Sequence, residues 1–212
     1  EAYAPSGAVS AALPERLAPQ LATLVNGVPA DAQDWIYEIK FDGYRLLARI
    51  DGASVRCMTR NGHDWSAKLP GLVKSLGDLG VSSGWLDGEI VVMNEEGLPD
   101  FGALQNAFDS AGTAHIVYYV FDLPYYKGLD LRQVELMKRR EILADVLKNN
   151  RHADIRFSDA FEASPQGLLA SAQRLGLEGI VGKRKDSVYA SRRSADWIKL
   201  TTQLRQEFVI GG

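Results

Sequence analysis

The chain has 212 residues, of which 46% are apolar and 24% charged, and its net charge is −3. This length predicts one large domain or two small ones with a buried core, and the composition excludes a disordered, collagen-like or coiled-coil chain. The single cysteine excludes an internal disulfide and favours a reducing compartment, the histidines lack zinc-site spacing, and no apolar run is long enough to span a membrane.

The first 30 residues differ from the rest of the chain. They are rich in Ala and Pro and lack periodicity, which predicts a linker or surface wrap over 1–30, ahead of a domain over 31–206. Within that domain, strands are predicted at 35–41, 44–50, 54–59, 85–93, 115–122, 179–183 and 196–200, with another at 206–210. Helices are predicted at 66–79, 101–108, 132–147 and 165–175.

The order of these elements indicates the fold class. Strands mostly follow strands through tight turns such as Asp51-Gly52, and helices occur singly, without a regular βαβ alternation. This order predicts an α+β fold with antiparallel sheets flanked by helices, rather than a doubly wound parallel sheet. No Gly-rich phosphate loop is present in the sequence, so a nucleotide would have to be bound in another way.

Two clusters of basic residues occur in this acidic chain. The range 183–205 contains seven basic and two acidic residues, and we interpret this cluster as functional. The run 138–140 is Lys-Arg-Arg on a predicted helix, and we interpret it as a solvated face. The net charge itself argues against a dedicated nucleic-acid-binding domain, which is usually basic.

One lysine occurs in an unusual setting at the end of a predicted strand. Glu38, Lys40 and Asp42 alternate along this segment, so they share one face of the strand. They are either a surface ladder of ion pairs or a lysine held at a pocket edge as a nucleophile. A lysine attacks only as an uncharged amine, which desolvation, neighbouring cations or a metal ion favour. The pattern K-x-D-G is by itself a weak signal.

Further patterns follow this lysine in a fixed order. They read TRNG at 59–62, DGEIV at 87–91, YYVFD at 118–122, EGIVGK at 178–183 and WIKL at 197–200. Taken singly, each has a plain structural interpretation, since Glu89 and Glu178 suit strand ends and Phe121 and Trp197 suit a core. Their occurrence together, in this order, is what points to a shared function.

Taken together, these patterns resemble the covalent nucleotidyltransferases: ATP-dependent DNA ligases, RNA ligases and mRNA-capping enzymes. The signature of that superfamily is a lysine in K-x-D-G-x-R followed by five further motifs, and five of the six appear here. The segments 17–25, 35–50 and 205–211 are most similar to the ligase domain of the bacterial multidomain ligase D of non-homologous end joining. The resemblance implies an adenylation domain with a central nucleotide cleft.

The resemblance also implies a reaction. Lys40 would attack the α-phosphorus of ATP, expel pyrophosphate and carry AMP, which would then pass to a DNA 5′-phosphate before the nick is sealed. Asp42 belongs to the same catalytic motif, and two further lysines would bind the α-phosphate, namely Lys183 and Lys199. Their charge would lie on the phosphate side of the cleft, which explains the basic range 183–205.

The resemblance further implies ligands for the base, ribose, metal and DNA. The residues that would contact the nucleotide are Glu38, Ile39, Arg45, Glu89, Phe121 and Val181. Of these, Glu38 would read the adenine edge, while Phe121 and Val181 would lie on opposite faces of the purine. Glu178, aided by Glu89, would hold Mg²⁺ or Mn²⁺, and Arg60 would meet the 5′-phosphate of the nick.

Two features depart from the family pattern. Where many members have K-x-K, this chain has Lys199 and then Thr201, so one phosphate-binding charge is absent or is supplied by Arg205 or from elsewhere. The chain also ends at Gly212, where the family continues into an OB-type domain that carries the sixth motif. We interpret 207–212 as the start of a linker to that domain and expect weak or no nick sealing by this fragment.

The partners implied are nicked or broken DNA, the OB-type domain, polymerase and nuclease domains of the same parent chain, and the end-binding protein Ku. We expect a monomer in the bacterial cytoplasm, at the nucleoid, with no membrane partner. An RNA ligase or capping enzyme is one alternative, and the flanking segments argue against it. The other is a catalytically silent module that binds nucleotide or DNA ends. The intact Lys40 and Glu178 argue against silence, while Thr201 favours it.

Overall fold

The computed structural model describes residues 4–161 and 164–202. The strands within these ranges are β1 (Val9–Ser10), β2 (Leu21–Leu24), β3 (Trp35–Lys40), β4 (Tyr44–Asp51), β5 (Ser54–Thr59), β6 (Ser83–Val92), β7 (Ile116–Tyr126), β8 (Leu129–Asp130), β9 (Ile155–Phe157), β10 (Gly179–Arg184) and β11 (Arg193–Thr201). The α-helices are α1 (Pro70–Gly77), α2 (Phe101–Asn106), α3 (Leu136–Leu147) and α4 (Pro165–Arg174).

These strands form two sheets. Among the described residues, the larger sheet has the order β1-β8-β7-β6-β4-β5 with β9 beside β7, and the smaller has the order β2-β11-β10-β3. Only two pairings are parallel in this part of the chain, β9 with β7 and β2 with β11. The predicted α+β fold with antiparallel sheets and flanking helices is therefore confirmed.

Each sheet has its own apolar core. The core of the larger sheet includes Leu46 and Tyr118 from the strands together with Leu72 of α1 and Leu143 of α3. A second cluster packs α4 against the smaller sheet through Ala172. Because β3 belongs to the smaller sheet and β4 to the larger, the short turn between them joins the two sheets.

Local sequence signals explain several element ends. Asp100 begins α2 by accepting a hydrogen bond from the Ala103 amide, and Ser164 begins α4 by accepting one from the Gly167 amide. The helix predicted from residue 66 is α-helical only from Pro70, after a short 3₁₀ turn, because proline suits the first helical position. The helix predicted at 132–147 likewise begins only at Leu136.

The described part of 1–30 is joined to both sheets, which its composition did not predict. β1 pairs with β8, β2 pairs with β11, and the Gln20 side chain is buried and accepts a hydrogen bond from the Ala190 amide. These residues therefore belong to the folded domain rather than to a free linker. The strand predicted at 206–210 and the linker start predicted at 207–212 lie outside the described residues.

The interpretation of the 138–140 run as a solvated face is wrong for two of its three residues. Arg139 and Arg140 are 0% and 4% exposed, because α3 packs this side against β7 and each guanidinium meets a buried carboxylate. Three consecutive basic residues suggested a solvent-exposed face. The carboxylates that pair with Arg139 and Arg140 are Asp122 and Glu38, which lie too far away in the sequence for the local pattern to show them.

Candidate active site

A cavity of about 380 Å³ lies where the two sheets meet. It brings together most of the residues selected from the sequence, which are Glu38, Ile39, Lys40, Arg45, Arg60, Glu89, Phe121, Val181, Lys183 and Lys199. Two selected residues do not line it, Asp42 and Glu178, but both lie close to Lys40, one in the turn after β3 and one in contact with its ammonium. The structure thus gathers the selected set into one cleft, while the roles of its members stay predictions.

The register of the smaller sheet sets the spacing of side chains across the cleft floor. Residues directly opposite one another share a face, and successive rows on that face are about 7 Å apart. Read from β3 across β10 to β11, the three rows are Lys40–Gly179–Thr201, Glu38–Val181–Lys199 and Ile36–Lys183–Trp197. Lys40 therefore lies at one end of the cleft floor and Lys183 at the other.

Two glycines allow this arrangement by close approach. A Cβ on Gly43 would lie 2.1 Å from the Ile90 carbonyl oxygen, so the turn after Lys40 can rest on β6 only without a side chain. A Cβ on Gly179 would lie 2.0 Å from the Leu200 carbonyl oxygen. Gly43 of K-x-D-G and Gly179, the first glycine of E-G-I-V-G-K, are therefore required by backbone packing around Lys40.

Lys40 is held by a carboxylate at the open end. Its Nζ lies 2.5 Å from Glu178 Oε2, and the side chains are 18% and 39% exposed. Burial raises the pKa of Asp42, with nearby Glu178 adding to the effect and Lys40 opposing it. Burial also raises the pKa of Glu89 to about 7, although Arg45 and Lys40 oppose the shift. Near neutral pH, a cation in this part of the cleft would favour the ionised form of Glu89.

The closed end of the cleft contains a buried ion pair against two aromatic rings. The ammonium of Lys183 contacts Glu38 Oε2, and both residues are 2% exposed. The same Nζ lies 4.0 Å from the ring centroid of Phe121 and 4.2 Å from that of Trp197. Burial lowers the pKa of Lys183, with Glu38 opposing. Lys183 thus lies near the predicted base-stacking ring, away from the row that contains Lys40.

Arg45 takes part in a second polar cluster. It forms two contacts with Asp87, of 2.5 and 2.6 Å, and Tyr189 donates a hydrogen bond of 2.6 Å to the same carboxylate. The Arg45 guanidinium also lies 4.8 Å from the Phe121 ring centroid. In the pattern Asp87-Gly88-Glu89, the first acid therefore orients Arg45 and the second faces the cavity.

The basic range 183–205 is divided between the cleft and the surface. Lys183, Arg193 and Lys199 line the cavity, but Lys183 lies at the closed end with Glu38, so a phosphate-facing role stays a prediction for this set. Burial lowers the pKa of Lys199, and the neighbouring cations Lys40 and Arg193 add to that shift. Arg184 and Lys185 instead point away, toward Asp31 and the Gln33 carbonyl, so the prediction is wrong for them.

Sequence reasoning missed the residues that support the cleft from behind. Arg140 and Tyr189 help to hold Glu38 and Arg45 in place, yet neither lies in a short pattern with a chemical meaning. Asp87 does lie in the DGEIV pattern, but its contact with Arg45 did not follow from that pattern. The signal that could have indicated Arg140 was its place, next to Arg139, on a helix whose other buried residues are apolar. No group of three or more His, Cys, Asp or Glu side chains able to hold a metal occurs among the described residues.

A comparison with protein families decides the relationship. A family model described as "ATP dependent DNA ligase domain" matches residues 18–201. The chain belongs to the ATP-dependent DNA ligase domain family. The resemblance found in the sequence is therefore confirmed, and the cleft between the two sheets is that of a ligase domain.

Curated relatives of this ligase domain include multifunctional proteins that are longer than this chain. It is 54% identical over 200 residues to the multifunctional non-homologous end joining protein LigD of Pseudomonas aeruginosa, covering 94% of this chain and 24% of that protein. The SPbeta prophage-derived DNA ligase-like protein LigB of Bacillus subtilis is 32% identical over 187 residues, covering 87% of this chain and 67% of LigB. The chain thus spans about a quarter of the length of LigD.

Solved structures show the same fold. The ligase domain of M. tuberculosis LigD has a TM-score of 0.75 at 32% identity, covering 87% of this ligase domain and 60% of that chain. A mycobacterial DNA ligase D complexed with ATP and MES has a TM-score of 0.73 at 33% identity, with the same coverage of 87% and 60%. None of the helices in 4–161 and 164–202 has the length and apolar character that crossing a bilayer requires.

Proposed function

We propose that this ligase domain adenylates itself on Lys40 with ATP and passes the AMP to the 5′-phosphate of nicked or broken DNA. The observation that carries the proposal is the position of Lys40, whose Nζ contacts Glu178 in a cleft that also contains Phe121 and Lys199. The similar mycobacterial structure in complex with ATP supports the choice of nucleotide.

The first step exchanges one bond at the α-phosphorus. The uncharged Lys40 amine attacks that atom and loses a proton as the N–P bond forms, while the bond to the bridging oxygen breaks and pyrophosphate leaves with the electron pair. Lys199, one row away on the cleft floor, offsets the negative charge that grows on the α-phosphate oxygens. Positioning and charge supply most of the catalysis in phosphoryl transfer.

In the second step, an oxygen of the DNA 5′-phosphate attacks the phosphorus of the lysine–AMP. The N–P bond breaks, and the Lys40 nitrogen regains a proton. A strand 3′-hydroxyl then attacks the activated 5′-phosphate and releases AMP, which seals the strand. Arg60 lines the cleft on the larger-sheet side and Arg193 on the smaller-sheet side, so both can meet a phosphate there.

Glu178 and Glu89 would hold a divalent cation, Mg²⁺ or Mn²⁺. Two observations support such an ion: Glu178 is near enough to raise the pKa of Glu89, and the Lys40 ammonium contacts Glu178, so positive charge is already accommodated beside it. Two carboxylates are an incomplete oxygen shell, which suits an ion that keeps waters and binds phosphate oxygens. The ion, when bound, would supply positive charge beside the triphosphate.

The parent protein would act in double-strand break repair. The name of the Pseudomonas aeruginosa relative, a multifunctional non-homologous end joining protein, supports this, as does the quarter of its length that the chain covers. We propose broken DNA ends as substrate, an OB-type domain after this one, polymerase and nuclease domains in the same parent, and recruitment by Ku. A monomer in the bacterial cytoplasm, at the nucleoid, meets these requirements.

Intact mass spectrometry tests the proposal directly. The purified domain is incubated with ATP and Mg²⁺ or Mn²⁺, then with pyrophosphate, and its mass is followed. We expect a gain of one AMP that pyrophosphate removes, because the first step is reversible. An unchanged mass together with ATP-dependent thermal stabilisation would indicate a silent nucleotide-binding module. An unchanged mass without stabilisation would contradict nucleotide binding itself.

Thr201→Lys is expected to increase the rate of AMP transfer to the protein. Thr201 lies in the same row as Lys40, across Gly179, which has no side chain to separate them. A lysine there would add a cation near the reacting phosphate and raise the rate roughly 10-fold, equivalent to about 1.4 kcal/mol. Thr201→Gln is the matched neutral control in a single-turnover assay, and equal rates for the two variants would contradict a charge effect.

A further inference from the structure

Arg140 contacts three parts of the cleft from behind without lining the cavity. Its Nη1 donates to Glu38 Oε1 at 2.9 Å and to the Phe121 carbonyl oxygen at 3.1 Å, and its Nη2 donates to the Ser158 carbonyl oxygen at 2.7 Å. Glu38, Phe121 and Ser158 all line the cleft. The guanidinium is therefore fixed by two main-chain groups and fixes one carboxylate in turn.

The carboxylate that Arg140 holds lies beside a donor at the closed end. Glu38 accepts hydrogen bonds and the Lys183 ammonium only donates them; the two are in contact, and the ammonium lies over the ring face of Phe121. An adenine has the complementary pair on its Watson–Crick edge, an amino donor at position 6 next to an acceptor at N1. A guanine or hypoxanthine has the reverse, an acceptor at position 6 next to an N1–H donor.

A further polar group at this end has no hydrogen-bond partner in the described part of the chain. Trp197 is 2% exposed and lines the cleft, and its indole Nε1 makes no hydrogen bond among the described residues. An indole N–H can only donate. A buried donor of this kind is expected to find an acceptor, and the ring nitrogens of a bound purine can supply one.

Discrimination at the 6 position requires that an acceptor oxygen of Glu38 faces that position of the base. Arg140 holds the carboxylate in one direction, since a guanidinium only donates and its planar fork is itself fixed by the Phe121 and Ser158 carbonyls.

We propose that Arg140 is a positioning residue that makes the cleft select 6-aminopurine nucleotides over 6-oxopurine nucleotides, an inference that rests on the nucleotide chemistry proposed above. It acts through Glu38 and does not touch the substrate. The specificity of the domain for ATP would thus depend on a residue of α3 that lies outside the nucleotide cleft.

The test compares matched substitutions of two neighbouring arginines. Arg140→Lys keeps a positive charge but loses the fork that bridges Glu38 and the two carbonyls. Arg139→Lys is the control, because Arg139 is also buried on the same helix but hydrogen-bonds to Asp122, Val134 and Ser187 and lies 5.7 Å from the Tyr189 ring centroid, and none of these residues lines the cleft. Each variant is assayed for covalent nucleotide formation with ATP, ITP and GTP, and for its unfolding midpoint.

We expect Arg140→Lys to form the AMP adduct and to lose on the order of 10–100-fold of its ATP-over-ITP preference in kcat/KM. Arg139→Lys should lower the unfolding midpoint and keep the wild-type preference. ITP isolates the 6 position, since it lacks the 2-amino group of GTP. A wild-type ATP-over-ITP ratio in Arg140→Lys would overturn the proposal, because a purely structural role predicts that result.

Two further measurements keep the test decisive. If Arg140→Lys does not fold, Arg140→Gln replaces it, and failure of both to fold while Arg139→Lys folds would overturn the proposal in favour of a structural role. If the wild-type protein forms no adduct, the proposed function fails, but base selection is still measured as the thermal stabilisation by ATP against that by ITP. Loss of that difference in the Arg140 variant supports the inference, and its persistence contradicts it.

Discussion

Lys40→Arg is expected to abolish covalent AMP formation while leaving the domain folded. The arginine keeps the positive charge that Glu178 contacts at 2.5 Å, and its long aliphatic stem can occupy the same place at the end of β3. A guanidinium, however, does not lose its proton in proteins, so it offers no lone pair to the α-phosphorus. Intact mass after incubation with ATP and a divalent cation measures the loss directly.

The control is Lys199→Arg, one row away on the same cleft floor. A cation that only binds phosphate can be replaced by an arginine, so this variant should still acquire AMP, more slowly than wild type. Thermal stabilisation by ATP in both variants would show that the nucleotide still binds. An AMP adduct on Lys40→Arg would place the nucleophile on another residue and contradict the assignment.

Much of the fold was predictable because its strands lie in short alternating segments with clear turns. The hairpin of β4 and β5 around Gly52 and the helix α4 after Ser164 followed from turn and cap residues. β2 and β9 were not predicted, because each is a short segment whose pairing partner lies far away in sequence. Such strands are stabilised by pairing with a sheet that is already present, so the β-propensity of their own residues has little influence.

The cleft could be predicted from motifs, but its internal organisation could not. The motifs located Lys40, Glu89, Phe121 and Lys199 correctly in one cavity. They did not show that Lys183 lies with Glu38, because register determines which lysine lies beside which carboxylate. A motif indicates which residue types a reaction needs. The residues that hold those side chains in place belong to distant elements, at no fixed sequence spacing from the motif.

Asp122→Ala is expected to lower the free energy of unfolding by about 3–5 kcal/mol, the usual effect of removing one partner of a buried ion pair. Asp122 and Arg139 are both 0% exposed and share two hydrogen bonds of 2.8 and 2.9 Å. The substitution leaves the guanidinium buried with the uncharged carbonyl partners of Val134 and Ser187. Urea denaturation followed by circular dichroism measures the change.

The double variant Asp122→Ala/Arg139→Met separates the cost of an unpaired charge from that of lost packing. It should be less destabilised than the sum of the two single variants, since neither charge remains.

The same ion pair makes stability depend on pH. Burial opposes ionisation of Asp122, but Arg139 outweighs it and lowers the pKa of Asp122. The stability due to the pair is therefore present above the pKa of an unfolded aspartate, about 3.9, and is lost as the pH falls below it. Single variants within about 1 kcal/mol of wild type would contradict a desolvated pair.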